Sequence, residues 1–230
     1  MLDTLKEDVL LANCALVEQG LVLGTWGNAS AVDREAGVLV IKPSGVAYEA
    51  MAPSDMVVVS LETGEVEEGS LKPSSDTPTH LELYRHFTEI GAVVHTHSHY
   101  ATCWAQARQA IPCLGTTHAD HFYGEIPVTE TMTVAEVEGG YEANTGMVIV
   151  RCFSDLDPME VPGVLVAQHG PFTWGATLEL AVENAVVLEA IARMARDTLA
   201  LRPDITPLPQ HVLDKHFRRK YGKNAYYGQD

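Results

Sequence analysis

The segment Gly91-Ala-Val-Val-His-Thr-His-Ser98 constrains this chain more than any other stretch. Ala92, Val93 and Val94 read as a buried strand, and residues two apart on a strand point to one face. His95 and His97 therefore lie side by side at the strand's end. Two neutral imidazoles so placed suit one metal ion, or they are simply two hydrogen-bonded histidines; the motif alone leaves both readings open.

The surrounding pattern alternates strands and helices without strict βαβ order. Leu5 to Gln19 has the spacing of an amphipathic helix, closed by Gly20. Strands are expected at Ala29–Val32, Val38–Ile41 and Met56–Leu61, with a Thr63-Gly64 turn and a short return at Val66. Pro78 suits the first turn of a helix running to about Ile90, which makes Thr77 its cap and leaves the Asp76 side chain free, with a Thr79/Glu82 capping box as the competing arrangement. After the histidine strand come helices near Tyr100–Gln106 and Val134–Thr145, then strands at Met147–Cys152 and Val164–Ala167. Thr177 to Leu199 is apolar nearly all round and reads as a long, largely buried helix. Beyond Pro203, Pro207 and Pro209 a tail carries a short helix near Val212–Lys220. A chain of 230 residues, 46% hydrophobic, can bury one substantial core. The expected fold class is α/β: a single domain, residues 1–230, built as a layered mixed sheet covered by helices.

A net charge of −16 makes nucleic acid and anionic membrane poor partners. No apolar run approaches the ~20 residues of a membrane-spanning helix. Met1 to Asp8 carries acids where a secretory leader would be basic. Cys14, Cys103, Cys113 and Cys152 form no Cys-x-x-Cys pair, so buried free thiols in a reducing cytoplasm are expected.

A third histidine ends another apolar stretch, Gly163-Val-Leu-Val-Ala-Gln-His169-Gly170, where Gly170 would permit a sharp turn. His95, His97 and His169 with Asp76 would make a borderline-hard set suited to zinc or manganese. Two short segments repeat a theme, Lys42-Pro-Ser44-Gly45 and Lys72-Pro-Ser74-Ser75. Each offers an ammonium, a hydroxyl and backbone N–H groups on a turn, which suits a phosphate dianion. Gly24-Thr-Trp-Gly27-Asn28 adds glycines and an amide. No Walker loop or strand-GxGxxG-helix is present, so a nucleotide cofactor is not indicated.

Together, Gly27-Asn28, Lys42-Pro-Ser44-Gly45, Ser74-Ser75-Asp76, His95-Thr-His97, Asp120, His169-Gly170 and the ending Ala225-Tyr-Tyr-Gly-Gln229 resemble the epimerase branch of the class II aldolase/adducin superfamily. The likeness runs from the first helix to the last residues. It implies an α/β/α layered sheet and a four-fold symmetric homotetramer with active sites at subunit interfaces. It implies a zinc site (manganese or another divalent ion being alternatives) on Asp76, His95, His97 and His169. Phosphate of a sugar phosphate is expected near Gly27, Asn28, Lys42, Ser44, Gly45, Ser74 and Ser75. Asp120 and Tyr227 are expected as acid/base pair, the tail 203–230 serving a neighbouring subunit. Sugar-phosphate aldolases of the superfamily carry Glu where this chain has Asp76, which favours an epimerase.

The implied reaction inverts C4 of L-ribulose 5-phosphate to give D-xylulose 5-phosphate. C4 of a ketose phosphate has no acidic hydrogen, so deprotonation alone cannot invert it. Cleavage of C3–C4 in the retro-aldol sense, rotation of the aldehyde and re-addition can. Each aldehyde face then needs its own proton donor and acceptor. Two rival functions are a class II aldolase that releases its aldehyde and a non-catalytic, adducin-like binding domain.

Overall fold

The computed structural model describes residues 2–221 and 225–226; Tyr227 lies outside the described residues. Seven strands form one sheet: β1 (Gly27–Asp33), β2 (Val38–Ile41), β3 (Val57–Ser60), β4 (Val66–Glu68), β5 (Ala92–Thr96), β6 (Gly163–Leu165) and β7 (Pro171–Gly175). Their order is β4-β3-β2-β1-β5-β7-β6. Each neighbouring pair is antiparallel, and a parallel bridge between Val128 and Leu165 makes the pairing mixed at the β6 edge.

Both faces of β2, β3 and β5 are buried, which is why these strands carry apolar runs rather than alternating ones. Ala29, Ala31, Val38, Val40, Val58, Ala92 and Val94 face one core, covered by α1 (Leu2–Glu18) and the start of α7 (Leu178–Leu201). The intervening residues Leu39, Ile41, Val57, Val59 and Val93 face the other. That second core is closed by α2 (Thr77–His86), α3 (His99–Ala107), α6 (Tyr141–Cys152) and the rest of α7. His95 follows Val93 by two residues and so belongs to this second face. Short helices α4 (Thr116–Ala119) and α5 (Val134–Glu138) and the tail helix α8 (Gln210–Lys220) complete the molecule. None of the described helices is long and apolar enough to cross a membrane.

The segment read as a strand at Met147–Cys152 is helical. It prolongs α6 from Tyr141, and packing on α2 overrides its β-branched composition. Gly146 permits that packing, since a Cβ there would meet Glu82 Cβ at 2.6 Å. The helix expected over Val134–Thr145 is two helices, broken at Gly139-Gly140, where Gly140 takes a φ of 122°. β7 was not expected: Phe172, Thr173 and Trp174 pair between β5 and β6. α7 begins as expected after Thr177, whose Oγ1 accepts a bond from Leu180 N–H. It buries only one face, leaving Leu180, Met194 and Leu201 exposed. The four cysteines are free, but only Cys113 is fully buried and Cys103 is exposed.

Candidate metal and phosphate site

The end of β5 sets the first ligand candidate. His95 sits between cross-strand neighbours Asn28 of β1 and Phe172 of β7, its ring stacked on Phe172 at 4.1 Å. Its Nδ1 lies 3.0 Å from the carbonyl oxygen of Pro171, which can only accept. Nδ1 therefore carries the proton and Nε2 presents a lone pair, the tautomer a metal-ligating histidine needs. His97 Nε2 lies 3.1 Å from that lone pair. The ring of His169 stands 4.7 Å from His95 and 5.0 Å from His97, and its Nδ1 is buried without a partner among the described residues. One nitrogen from each of the three rings falls within 4.8 Å of the others, so the triad can hold a metal ion. Three nitrogens converging with unshared electrons are better satisfied by one cation than by each other.

His169 reaches this place by a turn whose details differ from expectation. The left-handed residue is Gln168, at φ 63°, rather than Gly170. Gly170 is needed for close approach: a Cβ there would lie 2.8 Å from Thr96 O and 3.6 Å from His95 Cε1.

Asp76 lines the same cavity but is not among the three converging ligands. It caps α2 by position, one residue earlier than expected, yet its carboxylate makes no capping bond. Instead Asn28 Nδ2 donates to Asp76 Oδ2 at 2.6 Å and to Ser74 Oγ at 3.1 Å. Burial would raise the Asp76 pKa, but His95, His80 and the Asn28 bond bring it below the ordinary carboxylate value. Burial pushes the imidazoles the other way. His95 and His97 fall below the usual histidine value, and His169 falls to about 3 by burial and the two neighbouring rings. All three are therefore neutral and available near neutral pH.

The two Lys-Pro-Ser turns lie against one another. Pro43 and Pro73 form an antiparallel bridge, Ser44 N–H donates to Lys72 O at 2.9 Å and Ser74 N–H to Lys42 O at 3.0 Å. Their hydroxyls, with Gly27, Asn28 and Gly45, line the cavity of about 570 Å³ that holds the histidines. Lys42 is 2% exposed and donates to Pro43 O and Val46 O at 3.1 and 2.9 Å, which leaves one of its three N–H donors. Lys72 does not line this cavity, Lys42 does. Gly27 is dictated by space: at φ 144° a Cβ would strike Val22 at 2.6 Å and His95 O at 2.9 Å. Tyr48 O–H donates to Gly27 O at 2.7 Å. The cavity mouth also carries Trp26, 62% exposed, with Tyr141 and Glu142 from the start of α6. Sequence reasoning passed over those last two, although the Gly139-Gly140 break is the signal that a new helix starts there.

Asp120 is not in this cavity. It follows α4 and is held by α8: Arg219 Nε and Nη2 donate to its two oxygens at 3.1 and 2.7 Å, and His216 Nδ1 lies 3.0 Å from Oδ1. Burial raises its pKa, but these partners bring it below the ordinary value. Tyr226 N–H donates to Arg219 O at 2.9 Å, which ties Tyr226 to the same cluster.

Comparison with known proteins places the chain in a family. Residues 7–196 match the family described as Class II Aldolase and Adducin N-terminal domain. The proteins named L-ribulose-5-phosphate 4-epimerase UlaF from Salmonella paratyphi A and Salmonella typhi are each 55% identical over 98% of both chains. Among solved structures, one titled L-fuculose 1-phosphate aldolase superposes with a TM-score of 0.82 at 26% identity, covering 94% of this chain and 95% of its own. This chain belongs to the class II aldolase and adducin family.

Proposed function

We propose that this chain is a divalent-metal-dependent epimerase that inverts C4 of L-ribulose 5-phosphate to give D-xylulose 5-phosphate. The reading is carried by one observation: three converging imidazoles, a carboxylate and two paired hydroxyl-bearing turns share a single cavity. Relatives 55% identical to this chain bear the name L-ribulose-5-phosphate 4-epimerase, which supports the substrate assignment. His95, His97, His169 and Asp76 are assigned as the metal set, with zinc the first choice and manganese or another divalent ion the alternatives. Such an ion, when bound, supplies Lewis-acid stabilisation of negative charge on substrate oxygens.

The protein's own residues do the remaining work. Ser44, Ser74, Ser75 and the backbone at Gly27 and Gly45 hold the phosphate with the spare N–H of Lys42, while Asn28, whose amide hydrogens go to Asp76 and Ser74, orients those side chains beside it. That grip keeps the two-carbon aldehyde phosphate in place while it rotates between cleavage and re-addition. Asp120 and Tyr227 move the protons, one for each aldehyde face. Asp120 sits outside its own chain's cavity, on the α8 surface. This supports an assembly, a homotetramer in this reading, in which the tail 203–230 and Asp120 complete a neighbour's site. Metal-loaded protein should convert L-ribulose 5-phosphate to D-xylulose 5-phosphate. Steady release of dihydroxyacetone and glycolaldehyde phosphate, with no epimer, would make it an aldolase instead.

A further inference from the structure

The face of β1 that bears Asn28 and Ser30 is polar, although it lies inside the second core. α2 seats a matching row on it: Asp76 against Asn28, then His80 and Tyr84 against Ser30. Asp76, His80 and Tyr84 are spaced four residues apart, one helical turn each, so they share one side of α2. His80, Ser30 and Tyr84 are all 0% exposed. Tyr84 OH lies 2.9 Å from Ser30 O and 2.8 Å from Ser30 Oγ, so one proton can serve both. Ser30 Oγ lies 2.7 Å from His80 Nδ1. The other nitrogen, His80 Nε2, is buried with no hydrogen-bond partner among the described residues. Asn28 Oδ1, beside Asp76 in the same row, is the other buried atom of the row without a partner, and each calls for a reason. The His80 ring also packs edge-on to Phe172 at 6.1 Å, a contact that uses neither nitrogen and so leaves Nε2 unaccounted for.

We infer that His80 is a positioning residue for the divalent ion, acting through Asp76. Tyr84 donates to Ser30, Ser30 O–H donates to His80 Nδ1, and His80 Nε2–H, one helical turn from Asp76 on the same side of α2 and unbonded in the structure, is assigned to the Asp76 carboxylate. The negative end of the row sets the direction of every donor in it, and the row in turn fixes where Asp76 points. Partners of this kind govern the orientation and basicity of a ligating group without touching the ion. The inference rests on the metal assignment made above.

Zinc affinity of the full chain, stripped and reloaded in competition with a chromophoric chelator, tests it without reference to turnover. His80→Leu should bind zinc about 10- to 100-fold more weakly. His80→Gln, which keeps an N–H donor, should recover part of the loss. Ser30→Ala should shift affinity in the same direction by less, and it carries the test if His80→Leu does not fold. Nitrogen NMR of the wild-type protein should find the His80 proton on Nε2. Equal affinity in Ser30→Ala and wild type, or a His80 proton on Nδ1, overturns the inference alone. A wild-type chain that takes up no divalent ion overturns the metal assignment and this inference with it.

Discussion

Two histidine-bearing regions of this molecule are built on opposite electrostatic principles. Around His95, three neutral rings bring nitrogens within 4.8 Å of one another, and the His169 Nδ1 is buried with no hydrogen-bond partner among the described residues. Around Asp120, a carboxylate already has Arg219 and His216 as partners. The first region could hold a cation, while the second already pairs its charges within the chain. Its carboxylate is pinned in a charged, oriented state on a surface formed by α4 and α8. The contrast fits the proposed division of labour, binding in the first region and proton transfer in the second. A site that holds an ion needs unsatisfied donors in a rigid frame, whereas a proton-transfer group needs a defined pKa and a fixed direction.

The largest test breaks the first region. His97→Asn should strip most of the metal and nearly all activity while leaving the fold, because His97 stands at the open end of β5 and 3.1 Å from His95. Full metal in that variant by elemental analysis would sink the assignment. Breaking the second region should leave the first intact. Asp120→Asn should keep its metal and lose about 10²- to 10⁴-fold in turnover, the usual value of a general acid or base. Metal loss in that variant would mean that the two regions are not independent. Co-refolding His95→Asn with Tyr227→Phe sharpens the comparison further. Activity recovered from two dead parents requires each site to draw on both chains.

Smaller effects follow from the turns and from pH. Ser75→Ala should raise KM about tenfold at unchanged metal content, since a hydrogen bond to a charged group is worth about 1.5–3 kcal/mol. Equal turnover of unphosphorylated L-ribulose would contradict the phosphate role. Stability of the metal-free chain should depend on pH through the buried rings. His169 titrates near 3 when folded against an ordinary value of 6.5, so the unfolded state binds the extra proton. Its contribution is complete above 6.5 and is lost as pH falls toward 3, by at most about 1.4 kcal/mol per pH unit for one group. Denaturant midpoints measured between pH 7 and 4 should fall on acidification, and a flat profile would contradict the buried, neutral state. Added zinc should oppose that fall only while the rings remain unprotonated.

Much of this was legible from residue order, for reasons that the structure makes plain. His95 and His97 could be read because period-two geometry and a short apolar run leave little freedom. The repeated Lys-Pro-Ser segments were visible as turns. That they pair through Pro43 and Pro73 was not, since this contact spans thirty residues and depends on where β2 ends. Met147–Cys152 was misread because Val148, Ile149 and Val150 favour strands locally, and only α2 packed against Gly146 decides otherwise. β7 was missed because Pro171 and Gly175 bound a run too short to stand out from its flanking turns. The Ser30–His80–Tyr84 row left no trace in hydropathy, for it is polar chemistry inside a core and arises from two elements fifty residues apart.

Trp26 stands at the mouth of the cavity, mostly in solvent, whereas Trp104 and Trp174 are 8% and 0% exposed. With three tryptophans in the chain, light emitted at the red end of the indole band comes from this position alone. The fold has in effect installed an optical reporter beside its own binding cavity. Quenching by a dissolved collisional agent should therefore report occupancy of the cavity in real time, while the two buried indoles supply a constant internal reference.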